Sequence, residues 1–389
     1  GCWIWYADQP GRDKEHVLFR RTFRYPGHGP VEVKLSASNR YRLWINGRYL
    51  CRGPQKGDRF SQFYDTLDMT PWLQPGENVI AVQVQHYPED DLGCVDFKTG
   101  PISVIPHSRG GLWLACDDLD IATDSRWKCV RDTACAFVEA VDSKYAGDME
   151  LFDGNAWPQG WMNLDFADDH WENARVLCPA DTHRMGGVLY PWQLMPRSIP
   201  MLSEEPIRPV GISKSQGADW APLTAGKTVT VAAGTRAWVD IDMGGRVNAY
   251  VALPLTAGEP GNRVTLEYAE GYETPDEQGV YRKRIRDDAE HGRIHGEKDV
   301  YITCRGSQVY EPFHFRVFRY LRLHIDAGVS DVTLAMPDLR LTGYPLEIQG
   351  RFHGENPAVE QMWNISLRTL RRCMLDTYVD CPYYEQMQY

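Results

Sequence analysis

The 389-residue sequence contains no run of eighteen apolar residues, so none of it is expected to cross a membrane as a helix. No secretory signal segment is expected, although the sequence opens on Gly1 rather than Met, which leaves an upstream segment removed before export open. None of its ten cysteines (Cys2, Cys51, Cys94, Cys116, Cys129, Cys135, Cys178, Cys304, Cys373 and Cys381) forms a Cys-x-x-Cys pair, so zinc-site spacing is missing. There is no Walker-type phosphate loop, no strand-Gly-x-Gly-helix unit and no Gly-x-Ser-x-Gly elbow, which removes the usual signs of nucleotide binding and serine hydrolysis. No cofactor is expected. A Lys/Arg stripe is also missing and the net charge is −11, which argues against a nucleic-acid partner. The one dense basic run, YRKRIR (281–286), is followed at once by acidic residues. It reads as a solvated loop or hairpin, with a ligand role as the alternative.

What is present is a chain with 43% apolar and 24% charged residues, enough for two or three cored domains. A chain of this length needs no disulfide framework, so most cysteines are expected to be free and buried, which fits a reducing compartment. Thirteen Trp and twenty Tyr suit stacking on sugar rings. They suit a β-sandwich core equally well.

The first hundred residues are strand-sized and punctuated by turns. VEVKL (31–35) alternates, and YRLWINGRYL (41–50) folds about Asn46-Gly47, the preferred type I′ pair. After Pro75-Gly76, Ile80, Val82 and Val84 point one way, and Ala81, Gln83 and Gln85 the other. Period-two runs without long helical patterns predict an antiparallel sandwich. Between 140 and 215 the composition shifts. Trp157, Trp161 and Trp171 look like plugs holding irregular chain against a sheet. Pro191, Pro196, Pro200, Pro206 and Pro209 predict an extended connector, since proline disrupts regular elements from within. Strand grammar returns near 222. RAWVDID and NAYVALPLTAG read as separate strands, GGLW (110–113) and DMGG (242–245) as tight turns, and Leu321, Leu323 and Ile325 share one face of a strand.

The period then changes. Over 356–375, Val359, Met362, Trp363, Ser366, Leu367, Leu370 and Met374 recur at helical spacing. Asn356 is the expected N-cap, Pro357 the first helical residue, and Arg368, Arg371 and Arg372 crowd the end that favours cations. A single amphipathic helix after two sandwiches either packs back on a sheet or opens an all-helical domain that the chain does not complete.

The tail after this helix, DTYVDCPYYEQMQY (376–389), concentrates the chemistry. Asp376, Asp380 and Glu385 are carboxylates in a predicted loop. Glycosidic cleavage needs two such acids on opposite sides of a sugar. Tyr383, Tyr384 and Tyr389 could supply an apolar wall that raises an acid's pKa and a surface on which a ring stacks. The alternative is a capped helix end with a tyrosine cluster in a core. Elsewhere, His291 and His295 have i,i+4 spacing, but Gly292 and Gly296 oppose a helix, so no metal site is assigned. His86, Glu89, Asp90 and Asp91 in HYPEDDLG, and likewise Asp148 and Asp153, are weighed as cation or sugar contacts against plain turns.

Four segments carry a resemblance to a known family. YRLWINGRYLCRGPQ with FYDTLDMTPWLQPGENVIAVQV resembles the N-terminal sandwich of the bacterial α-L-rhamnosidases of glycoside hydrolase family seventy-eight. VDIDMGGRVNAYVALPL with NRVTLEYAEG, and EPFHFRVFRYLRLHI, resemble the next sandwich. FHGENPAVEQMWNISLRTLRRCMLDTYVDCP resembles the entry to the six-hairpin helical barrel. The resemblance implies inverting hydrolysis of terminal α-L-rhamnosyl linkages on a rhamnosylated glycan or glycoside. It implies that Asp380, in Asp-Cys-Pro, holds the sugar's hydroxyls. The family motif continues with Arg and an acid or amide before Glu; here Tyr384, Glu385 and Gln386 follow, which leaves Glu385 as the general acid, one place early. The second carboxylate lies much further along in the family, beyond Tyr389, so this chain alone is expected to be inactive.

The sequence therefore predicts a mostly β protein. Two or more antiparallel β-sandwiches are followed by the first helix of a truncated (α/α)6 barrel: 1–185 a carbohydrate-binding-like sandwich, 186–221 the connector, 222–345 the second sandwich, 346–389 the barrel start. Glu385 is the expected catalytic residue, with Asp380, Tyr384 and Tyr383 binding substrate and no metal. The compartment expected is cytoplasmic or periplasmic in a bacterium. A non-catalytic carbohydrate-binding or scaffolding role is the alternative.

Overall fold

The computed structural model describes residues 1–6, 13–58, 61–88, 107, 109–141, 147–180 and 193–386. They form two compact units, Gly1–Thr133 with Pro158–Met201, and Ala134–Trp157 with Leu202–Tyr389. The protein is mostly β, with one long helix following the sheets.

The first unit is built of two six-stranded sheets. One runs Arg175–Pro179, Cys2–Trp5, Leu112–Cys116, Glu32–Ala37, Ser61–Asp68, Gln193–Pro196 in spatial order. The other runs Glu172–Asn173, Lys128–Arg131, Glu15–Tyr25, Gly76–His86, Arg40–Ile45, Arg48–Gly53. The hairpin at Asn46-Gly47 forms as expected, both residues taking left-handed φ of 51° and 76°. Ile80, Val82 and Val84 lie in the sandwich core. The opposite face of the same strand is covered too: Gln83 and Gln85 are only 3% and 1% exposed. The irregular 158–174 segment packs on this face beside Ala81. Arg20, paired across the strands with Ala81, donates to the Asn163 carbonyl at 2.8 Å and forms an ion pair with Asp168. Trp161 packs edge-on against Trp44 at 5.6 Å and stacks on Trp171 at 6.0 Å. Two of the three expected tryptophan plugs therefore serve this sheet. Trp157 instead packs on Phe152, 5.3 Å away in the second unit.

The second unit is organised about the 23-residue strand Thr235–Ala257. Its first half pairs with Gly211–Gln216 and Arg316–Ala327, its second with Asp338–Gly343, Gly306–Tyr310 and Val332–Leu334. RAWVDID and NAYVALPLTAG are thus one strand, and DMGG is a bulge within it rather than a turn. The register slips between Asp242 and Val247. Gly244 takes φ 72° there, a conformation that disfavours any side chain. Leu321, Leu323 and Ile325 fill the core beneath, each contributing about 1.5–3 kcal/mol by burial.

Two further differences from the sequence reading have one cause. The connector region carries strands Gln193–Pro196, Ser203–Ile207 and Gly211–Gln216. Among the described residues, Gln193–Pro196 pairs only with Ser61–Asp68, and Ser203–Ile207 only with Asp338–Gly343, so Pro196 and Pro206 sit on edges where a missing N–H need break no ladder. Ala134–Trp157, placed with the first sandwich on composition, supplies Cys135–Val138 and Met149–Asp153 to the second unit. Met149–Asp153 runs parallel to Glu297–Ile302. Pairing with partners so remote in sequence leaves no local pattern.

The helix spans Pro357–Cys373, with the Asn356 side chain accepting from Ala358 N at 3.0 Å. None of its residues is buried. Its apolar stripe faces outward: Met362 is 64% exposed, Ile365 54% and Trp363 41%.

Candidate functional site

The helix does not pack deeply, but the loop after it does. Leu375, Val379 and Tyr383 are buried in a small core with Tyr250, Phe315 and Val317. Main-chain bonds shape the rest: Val379 N donates to Cys373 O at 2.9 Å, and Cys381 and Glu385 exchange bonds of 3.4 and 3.2 Å. The exchange closes a tight loop with Asp380 and Glu385 next to its open end. Gln386 Nε2 donates to Pro382 O at 2.9 Å across it.

Asp380 is exposed and lines a cavity of about 510 Å³. The opposing wall is the strand bulge, Gly244 to Arg246, with Glu270, Arg286 and Arg319; the helix end adds Arg368, Thr369, Arg372 and Cys373. Glu270, 6% exposed, is the hub. Arg246 Nη1 lies 2.9 Å from it, Lys283 Nζ 3.5 Å and Arg286 Nη1 3.6 Å. Arg319 is paired with Asp242 at 3.2 Å; burial opposes its charge, yet the Asp242 bonds hold its pKa above the ordinary value. Arg372 Nε donates to Arg246 O at 3.1 Å. Burial, and then the charges of Arg371 and Arg368, pull the Arg372 pKa below its ordinary value. Burial, with Cys381 and Asp380 close by, pushes the Cys373 thiol up.

The predicted site residues are placed differently from one another. Asp380 is in the cavity wall. Glu385 is half-buried on the same loop and is not among the lining residues. Tyr383 is 5% exposed; its hydroxyl donates to Tyr268 O at 2.9 Å and its ring lies in the core, where it offers a sugar no face. Tyr384 is half-buried, bonded through its hydroxyl to Lys283, whose ammonium lies 4.8 Å from the ring centroid. Tyr389 lies outside the described residues, as do Glu89, Asp90 and Asp91. His86 is fully buried in its strand. His291 is paired with Asp288 at 3.1 Å in a turn, and neither it nor His295 is on a helix. Asp148 is buried, and Asp153 accepts from Asn155 N at 2.9 Å. Among the described residues no group of three His, Cys, Asp or Glu side chains could hold a metal ion.

The sequence reading missed most of the cavity. Arg368 and Arg372 were explained as favourable charges at a helix end, and YRKRIR as a hairpin. The hairpin forms, with Tyr281–Arg282 against Tyr272–Pro275, but Lys283 and Arg286 turn back to Glu270. Glu270 is a lone acid in YAEG, and no spacing rule marks it. Among the described residues no cysteine is in a disulfide, but only Cys129 and Cys178 are buried.

Residues 32–186 match the family model described as the alpha-L-rhamnosidase N-terminal domain. No curated protein sequence matches. Among solved structures, the chain superposes on the GH78 family rhamnosidase of Bacillus sp. GL1 with TM-score 0.79 at 19% identity, over 99% of this chain and 59% of that one. It superposes on the alpha-L-rhamnosidase of Dictyoglumus thermophilum with TM-score 0.66 at 19% identity, over 99% and 40%. For that of Aspergillus terreus the values are 0.62 and 18%, over 99% and 41%. The fold is therefore shared across nearly the whole chain, which spans 59% or less of the length of these proteins.

Proposed function

We propose that this chain, whose N-terminal domain is homologous to that of the α-L-rhamnosidases, forms part of a glycoside hydrolase that removes terminal α-L-rhamnosyl groups with inversion. The observation that carries the reading is Asp380: it stands in the wall of a sugar-sized cavity, on a loop anchored to the sandwich by Leu375, Val379 and Tyr383. In this reading Asp380 accepts hydrogen bonds from the hydroxyls of the bound sugar. Glu385, on the same closed loop, protonates the leaving oxygen, and Lys283 holds Tyr384 in place beside it. A carboxylate from outside the 389 residues activates water on the other face, at the roughly 6.5–9.5 Å separation that inversion requires. The exposed stripe of the helix becomes the first face of a helical domain.

One observation favours the binding-only alternative. Glu385 does not line the cavity, and Glu270, the carboxylate that lines it besides Asp380, is held by Arg246, Lys283 and Arg286, so the described residues would hold a sugar there without an acid placed to protonate the leaving oxygen. Proton NMR of the whole gene product with an aryl α-L-rhamnoside separates the two. The proposal expects β-L-rhamnose as the first product, and loss of turnover in Asp380→Asn. Binding of L-rhamnose without release of the aglycone would establish the alternative.

A further inference from the structure

We infer that the cavity at Asp380 takes a glycan in which the sugar next to the terminal, neutral one carries a carboxylate, and that the arginines of the cavity wall hold that carboxylate. The inference rests on the glycan-handling reading above and narrows its substrate class.

Charge is the first argument. The chain has 53 acidic against 42 basic residues, yet five arginines and two carboxylates line this cavity. A local excess of positive charge within an acidic protein concentrates anions there. The second argument is pairing. Glu270 is shared by Arg246, Lys283 and Arg286, and Arg319 is engaged by Asp242. Among the described residues, Arg368 and Arg372 have no such ion pair. Arg372 is nevertheless fixed, because its Nε is bonded to the Arg246 carbonyl, which leaves its terminal nitrogens as donors. Its charge is disfavoured by burial and by Arg371 and Arg368, which Glu205 offsets only in part, and a bound anion relieves that cost. A guanidinium fork matches a planar carboxylate in two parallel hydrogen bonds.

The third argument is the mixture of groups. A bare inorganic anion needs only the arginines, and Asp380 in the same wall would repel it. A neutral sugar joined to a sugar acid uses both: the carboxylate meets Arg368 and Arg372, and the neutral sugar's hydroxyls donate to Asp380. A cavity of about 510 Å³ fits one or two pyranose rings. A wholly neutral glycan would leave the arginines to water alone.

The test is a calorimetric or NMR titration of the intact protein with D-glucuronate, D-glucose and inorganic sulfate, repeated in Arg368→Gln. Arg368 is exposed and unpaired, so its replacement spares the fold, and Arg305→Gln, on a surface pair with Glu259, serves as the control. The expected result is that glucuronate binds at least tenfold more tightly than glucose or sulfate, that Arg368→Gln removes that preference, and that Arg305→Gln does not. No glucuronate binding, equal binding of glucose or sulfate, or indifference to Arg368→Gln overturns the inference. Rhamnoside hydrolysis without glucuronate binding would leave the glycosidase reading standing and remove this one. Glucuronate binding without hydrolysis would do the reverse.

Discussion

The Tyr383 hydroxyl donates to the main-chain carbonyl of Tyr268 at 2.9 Å, tying the loop that carries Asp380 to a core strand of the sandwich. Tyr383→Phe keeps the ring and loses this bond, which should cost about 1 kcal/mol. Tyr383→Ala also opens a cavity and should cost about 3–5 kcal/mol. Urea unfolding of the second unit checks both. Equal effects would mean that the ring contributes nothing.

The same tyrosine leads to a buried ion pair. Tyr268 Oη donates to Asp299 at 2.8 Å, and Arg316 meets Asp299 through Nε and Nη2, both at 2.7 Å. Removing one partner strands the other without solvent. Arg316→Met or Asp299→Leu alone should therefore destabilise by about 3–5 kcal/mol, while the double variant recovers part of that loss. Additive losses in a double-mutant cycle would contradict the coupling.

Acid should weaken the first unit through two histidines. Burial, with His107 nearby, lowers the His86 pKa to about 3, and burial lowers His107 to about 4. Both fall below the ordinary 6.5, so the unfolded chain binds protons first as the pH drops. Their contribution is fully present above pH 6.5 and is lost on acidification, down to about 4 for His107 and about 3 for His86. The slope is about 1.4 kcal/mol per pH unit for each histidine. His86→Leu should flatten the pH dependence of the urea midpoint between pH 6 and 4 by roughly one proton. An unchanged slope would contradict this.

The helix stripe gives a comparison between two polypeptides. In the 389-residue chain, Met362→Lys and Ile365→Lys should shift stability by no more than about 0.5 kcal/mol, because those side chains are solvated already. In the whole gene product, if a helical domain covers the stripe, the same charges are buried and should cost several kcal/mol. Thermal unfolding of both distinguishes these. A large loss in the short chain would show that the stripe is covered there.

Much of this architecture was legible beforehand because its signals are local. The Asn46-Gly47 hairpin, the alternation through Leu321 to Ile325 and the Asn356-Pro357 helix start each depend on a few adjacent residues. The cavity was not legible, because it is assembled from separate parts of the second unit. Arg246 is displayed by a bulge that reads as a turn, Glu270 stands alone in its strand end, and Arg368 and Arg372 have an adequate local explanation as helix-end charges. The tyrosines show the limit from the other side. Tyr383 and Tyr384 are adjacent in sequence and were assigned one role, yet the fold buries the first and pairs the second with Lys283. Composition marked the tail as chemical, but it could not say which of its groups face outward.

The most direct test of the central claim, that Asp380 and Glu385 serve sugar cleavage together, is the dependence of hydrolysis on the leaving group. The whole gene product and its Glu385→Gln variant are compared on aryl α-L-rhamnosides of graded phenol acidity. If Glu385 protonates the leaving oxygen, the variant loses about 10²–10⁴-fold on poor leaving groups and recovers on the most acidic phenols. A variant that keeps full activity across the series, or an unmodified protein that cleaves none of it, would contradict the account.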